Sequence, residues 1–272
     1  MTPFLKWAGG KRWFVHQYSH LFPTKFNRYI EPFLGSGSVY FHVKPKRALL
    51  GDSNPDLVNT YNGIKNDWRS IESLLNHHQL RHSDDHYYSV RDDELPTDPI
   101  ERAARMIYLN RTCFNGIYRV NLNGKFNVPR GTKNNILLKD DNFEATALLL
   151  KRADIVLDDF EALINKAKKD DFVFADPPYT VRHNNNGFIK YNEKLFSWSD
   201  QERLARSLIK ARSRGAIILS TNANHESLRE LYENKGFNFL DISRYSSISA
   251  SSSSRKRFEE LVILTHPQDR SK

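Results

Sequence analysis

Asp176-Pro177-Pro178-Tyr179 is the stretch of this chain whose residue types and spacing are suited to chemistry. The Asp176 carboxylate and the Pro177 carbonyl can each accept one hydrogen of an exocyclic amine, and Tyr179 offers a face for the flat ring that carries it. Such an amine is a poor nucleophile. Two acceptors holding its hydrogens draw the lone pair out of conjugation, and an electrophilic methyl donor placed beside it makes a direct transfer feasible. Four residues of this kind also occur as a stiff turn and nothing more, so their meaning rests on the company they keep.

The elements that must position them can be read outward from the tetrad. Phe172 to Ala175 is a short apolar run that predicts a buried strand, which Pro177 and Pro178 forbid to continue because neither offers an N–H to a ladder. In an open α/β sheet, ligands bind beyond the carboxyl ends of the strands. Tyr29 to Pro32 predicts another strand, followed by the turn Leu34-Gly35-Ser36-Gly37-Ser38 and a helix from Val39. A strand, a glycine turn and a helix open a nucleotide-type site. Tyr40 stands where a dinucleotide fingerprint has its third glycine, which disfavours a pyrophosphate and suits an adenosine without phosphates. Leu49-Leu50-Gly51 leads to Asp52, an acid at a strand tip where a ribose hydroxyl is held. Near the N-terminus, Gly9 and Gly10 allow close backbone approach to a small molecule, with Trp7 as a stacking face and Lys11 as a cation. A phosphate loop is excluded there by Leu5 and Arg12 at its required glycine and hydroxyl positions.

Further along, Pro55 to Asn66 predicts a helix capped by Asn54, and Trp68 to about Asn110 is helical and polar. His77, His78, His82 and His86 read as solvated helix surface, with no metal motif beside them. Strands are expected at 154–157, 216–221, 237–242 and 260–265, and helices at 160–168, 199–213 and 225–234. Thr180 to Trp198 reads as a loop over the site. The block from 57 to 140 interrupts the α/β alternation. It is therefore expected to be an inserted domain within a catalytic domain made of 1–56 and 141–272.

With 272 residues and 39% hydrophobic content the chain can bury a substantial core. The single cysteine, Cys113, excludes an intrachain disulfide, and no targeting or membrane-spanning segment is visible, so a cytoplasmic protein with no membrane association is expected. The formal charge of +9 favours a polyanionic partner. It is concentrated: from Arg102 to Lys139 there are eight basic residues and no acidic one. Within this block, Asn123-Gly124 between two alternating segments predicts a hairpin that is basic, aromatic and rich in amides. Arg119 suits a guanine edge, Asn115 an adenine, and Ile117 or Pro129 a thymine methyl, as in major-groove readout. Arg111, Lys125, Arg130 and Lys133 are expected to contact DNA, and Arg255 and Lys256, after the serine-rich stretch Ser246 to Ser254, to touch its phosphates.

The ordered set formed by Phe4 to Lys11, Phe33 to Gly37, Asn110 to Gly131 and Asp176 to Tyr179 resembles the Dam-type (D12 class) S-adenosylmethionine-dependent DNA adenine-N6 methyltransferases over almost the whole chain. The resemblance implies a Rossmann-like methyltransferase sheet, mostly parallel with an antiparallel last strand, carrying an inserted helical and hairpin recognition domain. It implies that Trp7, Lys11, Phe33, Gly35, Gly37, Asp52, Phe160 and Asp176 hold S-adenosylmethionine, with Phe160 on its adenine. It also implies that Asp176, Pro177 and Tyr179 receive an adenine flipped from double-stranded DNA, and that Lys6, Asn115, Ile117, Arg119 and Pro129 read GATC. Phe114 lies where the family often has an intercalating tyrosine. No metal, covalent enzyme intermediate or obligate protein partner is implied, and Cys113 lacks the setting of a cytosine-C5 nucleophile. Two other readings stand beside this one: cytosine-N4 methylation, since the tetrad suits either amine, and a DNA-binding protein that keeps the fold without turnover.

Overall fold

The computed structural model describes residues 1–121, 123–180, 196–245 and 257–266. Arg255, Lys256, Ser246 to Ser254 and most of the expected loop after Thr180 lie outside the described residues. In chain order the elements are α1 (Arg12–Tyr18), β1 (Tyr29–Glu31), α2 (Ser38–Val43), β2 (Ala48–Asp52), α3 (Pro55–Arg81), α4 (Asp84–Asp92), α5 (Pro99–Thr112), α6 (Phe143–Leu150), β3 (Ala153–Leu157), α7 (Phe160–Asn165), β4 (Phe172–Ala175), α8 (Trp198–Ser213), β5 (Ile217–Ala223), α9 (Glu226–Tyr232), β6 (Asn238–Tyr245) and β7 (Arg257–Leu264). The fold is mixed α/β, and the chain divides into two compact units, residues 1–19 with 34–158 and residues 20–33 with 159–272.

In the first unit β2 and β3 run parallel, with Asp52 opposite Leu157. The Asn54 side chain caps α3 by accepting from the N–H groups of Asp56 and Leu57, with Pro55 in the first turn. The helix is broken where the sequence suggests, between Asn66 and Trp68: Asp67, with φ of −149° and ψ of 66°, is not helical, and the helical path resumes beyond this kink to Arg81. Asp98 caps α5 in the same way.

The second unit contains strands in the order β1-β4-β5-β7-β6, parallel from β1 to β5 and antiparallel where β7 pairs with both β5 and β6. The expected antiparallel last strand is therefore present. All four residues of β4 are buried. Phe172 packs against Tyr29 and Phe26 at ring separations of 5.5 and 5.6 Å. Each fully buried phenylalanine of this kind stabilises the fold by roughly 1.5–3 kcal/mol. A capping box formed by Ser197 and Asp200 starts α8. Among the described residues no helix is long and apolar enough to cross a membrane.

Candidate functional site

In the first unit the turn after Leu34 is a cradle built from glycine. Gly35 and Gly37 have φ of 48° and 65°, left-handed values that favour glycine, and a Cβ on Gly35 would lie 2.9 Å from Cδ1 of Trp7. The Asp52 carboxylate is fixed at the end of β2 by two backbone donors, Gly35 N–H on Oδ2 and Asn54 N–H on Oδ1, both at 3.0 Å. Burial raises its pKa above the usual carboxylate range, against the pull of the N–H groups of Gly35, Asn54 and Ser53. Lys11 is buried and donates to Gly9 O at 3.2 Å. A close-approach turn, an indole beside it and an oriented acid acceptor suit a ribose with an aromatic base, so Trp7, Gly35, Gly37 and Asp52 fit the expected cofactor.

The recognition stretch belongs to the same unit. It is an irregular hairpin, with isolated bridges at Cys113↔Arg130 and Val120↔Phe126 rather than a regular ladder. Its turn is closed by the Asn121 side chain, which accepts from the N–H groups of Asn123 and Lys125. The backbone at the residues expected to read bases is held by local bonds, Phe114 N–H donating to Pro129 O at 2.9 Å and Asn127 N–H to Arg119 O at 3.2 Å. Phe114 and Ile117 are 53% and 41% exposed, and Asn115, Arg119 and Pro129 are exposed with them. Asn115 itself adopts φ 57° and Gly116 φ 67°. Lys6 lies over Gly116, and its backbone exchanges two 2.9 Å hydrogen bonds with the buried Asn110 side chain. Its pKa is lowered by Lys133 beside it, by partial burial and by Arg12, a concentration of positive charge that favours an anion. The Asn127 side chain and carbonyl both accept from Arg119, at 2.8 and 3.1 Å, and so fix one edge of its guanidinium. Lys125 and Lys133 are exposed.

Three expectations are corrected in this stretch. Arg111 is not available to DNA: it is buried and paired with Asp141, because it lies on the last turn of α5, whose residues are buried all round. Arg130 is partly buried and engaged by Asp84, His82 and Asn134. The histidines at 78, 82 and 86 are not solvated surface. His78 stacks on Tyr108 at 4.4 Å, His86 bonds to His78 at 3.0 Å and His82 bonds to the Tyr108 hydroxyl at 2.9 Å. Burial, with His86 close by, lowers the His78 pKa to about 4. Among the described residues no group of histidine, cysteine or acid side chains could hold a metal. Burial pushes the Cys113 thiol up to about 11, so it stays protonated at neutral pH and is no nucleophile.

Sequence reading also missed the polar contacts that anchor this stretch. The Tyr118 hydroxyl donates to Asp56 at 2.8 Å, Arg102 donates to the same carboxylate, and the Tyr118 ring stacks on Trp7 at 5.3 Å.

In the second unit the tetrad leaves the end of β4 as expected. Asp176 Oδ1 accepts from the Thr221 hydroxyl at 2.6 Å, and the Tyr179 hydroxyl donates to Glu260 Oε2 at 2.7 Å. Burial together with the Asp176 and Glu260 charges drives the Tyr179 pKa well above its ordinary value, so the phenol stays neutral. Phe33 and Phe160 stack on one another at 5.4 Å, with the Arg203 guanidinium 4.7 Å from the Phe160 ring centre. Arg203 is held in turn by Asp159, Glu161 and Asp200. Neither Thr221 nor Glu260 carries a sequence signature that points to the tetrad.

Comparison with known proteins gives a consistent result. The description "D12 class N6 adenine-specific DNA methyltransferase" matches residues 7–248. A Type II methyltransferase of Lactococcus lactis, M1.LlaDCHI, is 34% identical over 98% of this chain and 96% of its own length. The DNA adenine methylase of Haemophilus influenzae is 33% identical over 96% of this chain and 93% of its own. The DNA N-6-adenine-methyltransferase of Escherichia phage P1 is 35% identical over 92% of this chain and 33% of its own length.

Proposed function

Because the chain belongs to the D12 class N6 adenine-specific DNA methyltransferase family, we propose that it methylates adenine N6 within GATC of double-stranded DNA, acting in the cytoplasm on an adenine turned out of the duplex. The observation that carries the reading is the end of β4, where Asp176 emerges with one carboxylate oxygen already oriented by Thr221. A target amine cannot reach such a corner while it is stacked in the helix. Asp176 and the Pro177 carbonyl take the two amine hydrogens, and the Tyr179 ring, whose hydroxyl is committed to Glu260, supports the base. S-adenosylmethionine would supply an electrophilic sulfonium methyl for N6, its S–CH3 bond breaking as the N–CH3 bond forms and the neutral thioether S-adenosylhomocysteine leaving. Trp7, Lys11, Gly35, Gly37 and Asp52 would hold its amino-acid and ribose parts, and Phe33 and Phe160 its adenine. Asp176 or solvent then receives the surplus N6 proton.

The exposed face of the recognition stretch supplies GATC readout. Arg119 takes a guanine edge, Asn115 an adenine, and Ile117 and Pro129 the thymine methyl, with Lys6 beside them and Phe114 as the intercalating ring. Lys125 and Lys133 take phosphates. The test is a transfer assay with labelled S-adenosylmethionine on duplexes with and without GATC, digested to nucleosides. N6-methyladenine from GATC duplexes alone is expected, and Asp176→Ala should abolish it while duplex binding persists. N4-methylcytosine as product, or undiminished methylation by Asp176→Ala, contradicts the assignment.

A further inference from the structure

Three consecutive residues of β5 attend to the end of β4. Ser220 Oγ donates to Ala175 O at 2.9 Å. The Asn222 side chain donates at 2.9 Å to Gln201, whose amide in turn reaches the carbonyls of Pro178 and Thr180 at 3.4 Å. Between them, Thr221 is fully buried and points to the opposite face of the sheet, as alternation along a strand requires. The register sets Ala175 opposite Ser220, so Asp176 follows as the neighbour of Thr221. Across the other edge of β5, Thr221 lies opposite Val262 of β7. Glu260 is two residues from Val262 and therefore on the same face as Thr221.

The four polar groups form one line: the Asp176 carboxylate, the Thr221 hydroxyl, the Tyr179 hydroxyl and the Glu260 carboxylate, which is 6% exposed. A hydroxyl donating to a carboxylate makes a short, charge-assisted bond that fixes the plane of the acceptor. We propose that Thr221 is a positioning residue for the transfer, holding the Asp176 carboxylate in the plane in which it meets the target amine, while Glu260 fixes Tyr179 from the other end. The inference rests on the adenine reading above.

The test uses the full chain with Thr221→Val, which removes the hydroxyl from a buried strand position, and Thr221→Ser, which keeps it. Four quantities are measured: kcat and KM on a GATC duplex, S-adenosylmethionine affinity by calorimetry, the urea midpoint, and the fluorescence of 2-aminopurine at the target position, which reports an extruded base. Misplacing a reacting group by a fraction of its contact distance slows a step by about tenfold to about a hundredfold. Thr221→Val should lose kcat in that range while KM, cofactor affinity and the fluorescence rise are retained, and Thr221→Ser should recover most of the loss. A kcat equal to wild type in Thr221→Val overturns the proposal. So does a loss that Thr221→Ser fails to rescue and that tracks a falling urea midpoint. If the wild-type protein itself transfers no methyl to adenine, the functional reading fails; an active wild type with an equally active Thr221→Val removes only the positioning role.

Discussion

Replacing Arg111 should destabilise the protein rather than loosen its grip on DNA, although Arg111 sits in the most basic part of the sequence. It is 7% exposed. Its guanidinium donates to both oxygens of Asp141 at 2.6 and 2.7 Å, to Ile136 O at 2.6 Å and to Phe4 O at 3.0 Å. Arg111→Ala strands Asp141, whose side chain is only 10% exposed, without its counter-charge and leaves both carbonyls short of a donor. Removing one partner of a buried ion pair costs about 3–5 kcal/mol. That is a large part of the roughly 5–15 kcal/mol that holds a typical protein folded. With a urea m-value near about 3 kcal/mol/M, the midpoint should fall by at least about 1 M. The paired change Arg111→Met with Asp141→Leu should be milder than either single change, because no buried charge is then left alone. Duplex binding measured against salt separates this role from phosphate contact, since each phosphate contact contributes about 0.9 to the slope of log affinity on log salt. Arg111→Ala, measured where it remains folded, should keep the wild-type slope. A variant as stable as wild type with a slope shallower by about 0.9 would refute the reasoning.

Gly35→Ala should weaken S-adenosylmethionine binding, because φ of 48° strains any Cβ and the new atom would meet Trp7 at 2.9 Å; calorimetry on the DNA-free protein checks it, and unchanged affinity counts against the cradle. His78 is held neutral, with a folded pKa of about 4 against an ordinary 6.5. Below pH 6.5 the unfolded chain takes up a proton that the folded chain refuses, so stability should fall with pH between 6.5 and about 4, by up to about 1.4 kcal/mol per pH unit less a discount for partial exposure. His78→Phe should flatten that part of the urea-midpoint profile. Arg119→Ala should cost about 1–3 kcal/mol of discrimination at one base of the recognition site and little elsewhere, read from relative kcat/KM on single-base variants of the duplex.

The elements that frame the site were legible because proline and glycine punctuate them. Pro177 and Pro178 end β4 where expected, Asn54 with Pro55 starts α3, and Gly35 and Gly37 take the left-handed conformations their turn requires. The charge block was less informative. Clustering of basic residues says how much positive charge a segment carries, not which side chains face water, and Arg111 finds its acid thirty residues away in sequence. The histidines at 78, 82 and 86 recur every fourth residue, but the helix is broken between them, since α3 ends at Arg81 and α4 begins at Asp84; tertiary packing and not helical spacing brings them together. Tyr108 on α5 is the surface they cover.

Thr221 and Glu260 show why a tetrad is easier to find than its supports. They lie 45 and 81 residues beyond their partners Asp176 and Tyr179, and only the sheet brings them there. Parallel pairing of β4 with β5 sets Thr221 beside Asp176, and insertion of β7 antiparallel between β5 and β6 carries Glu260 onto the same face. Had β7 followed β6 at the edge, a carboxylate in that position would have faced no tyrosine and would have had no reason to be buried. One local hint exists. Glu260 opens the run Leu261 to Leu264, all buried, and a charge that enters a buried strand almost always has a partner there. An acid at the head of an apolar strand is therefore a question about which distant hydroxyl or cation it serves, and here the answer is the ring against which a target base would rest.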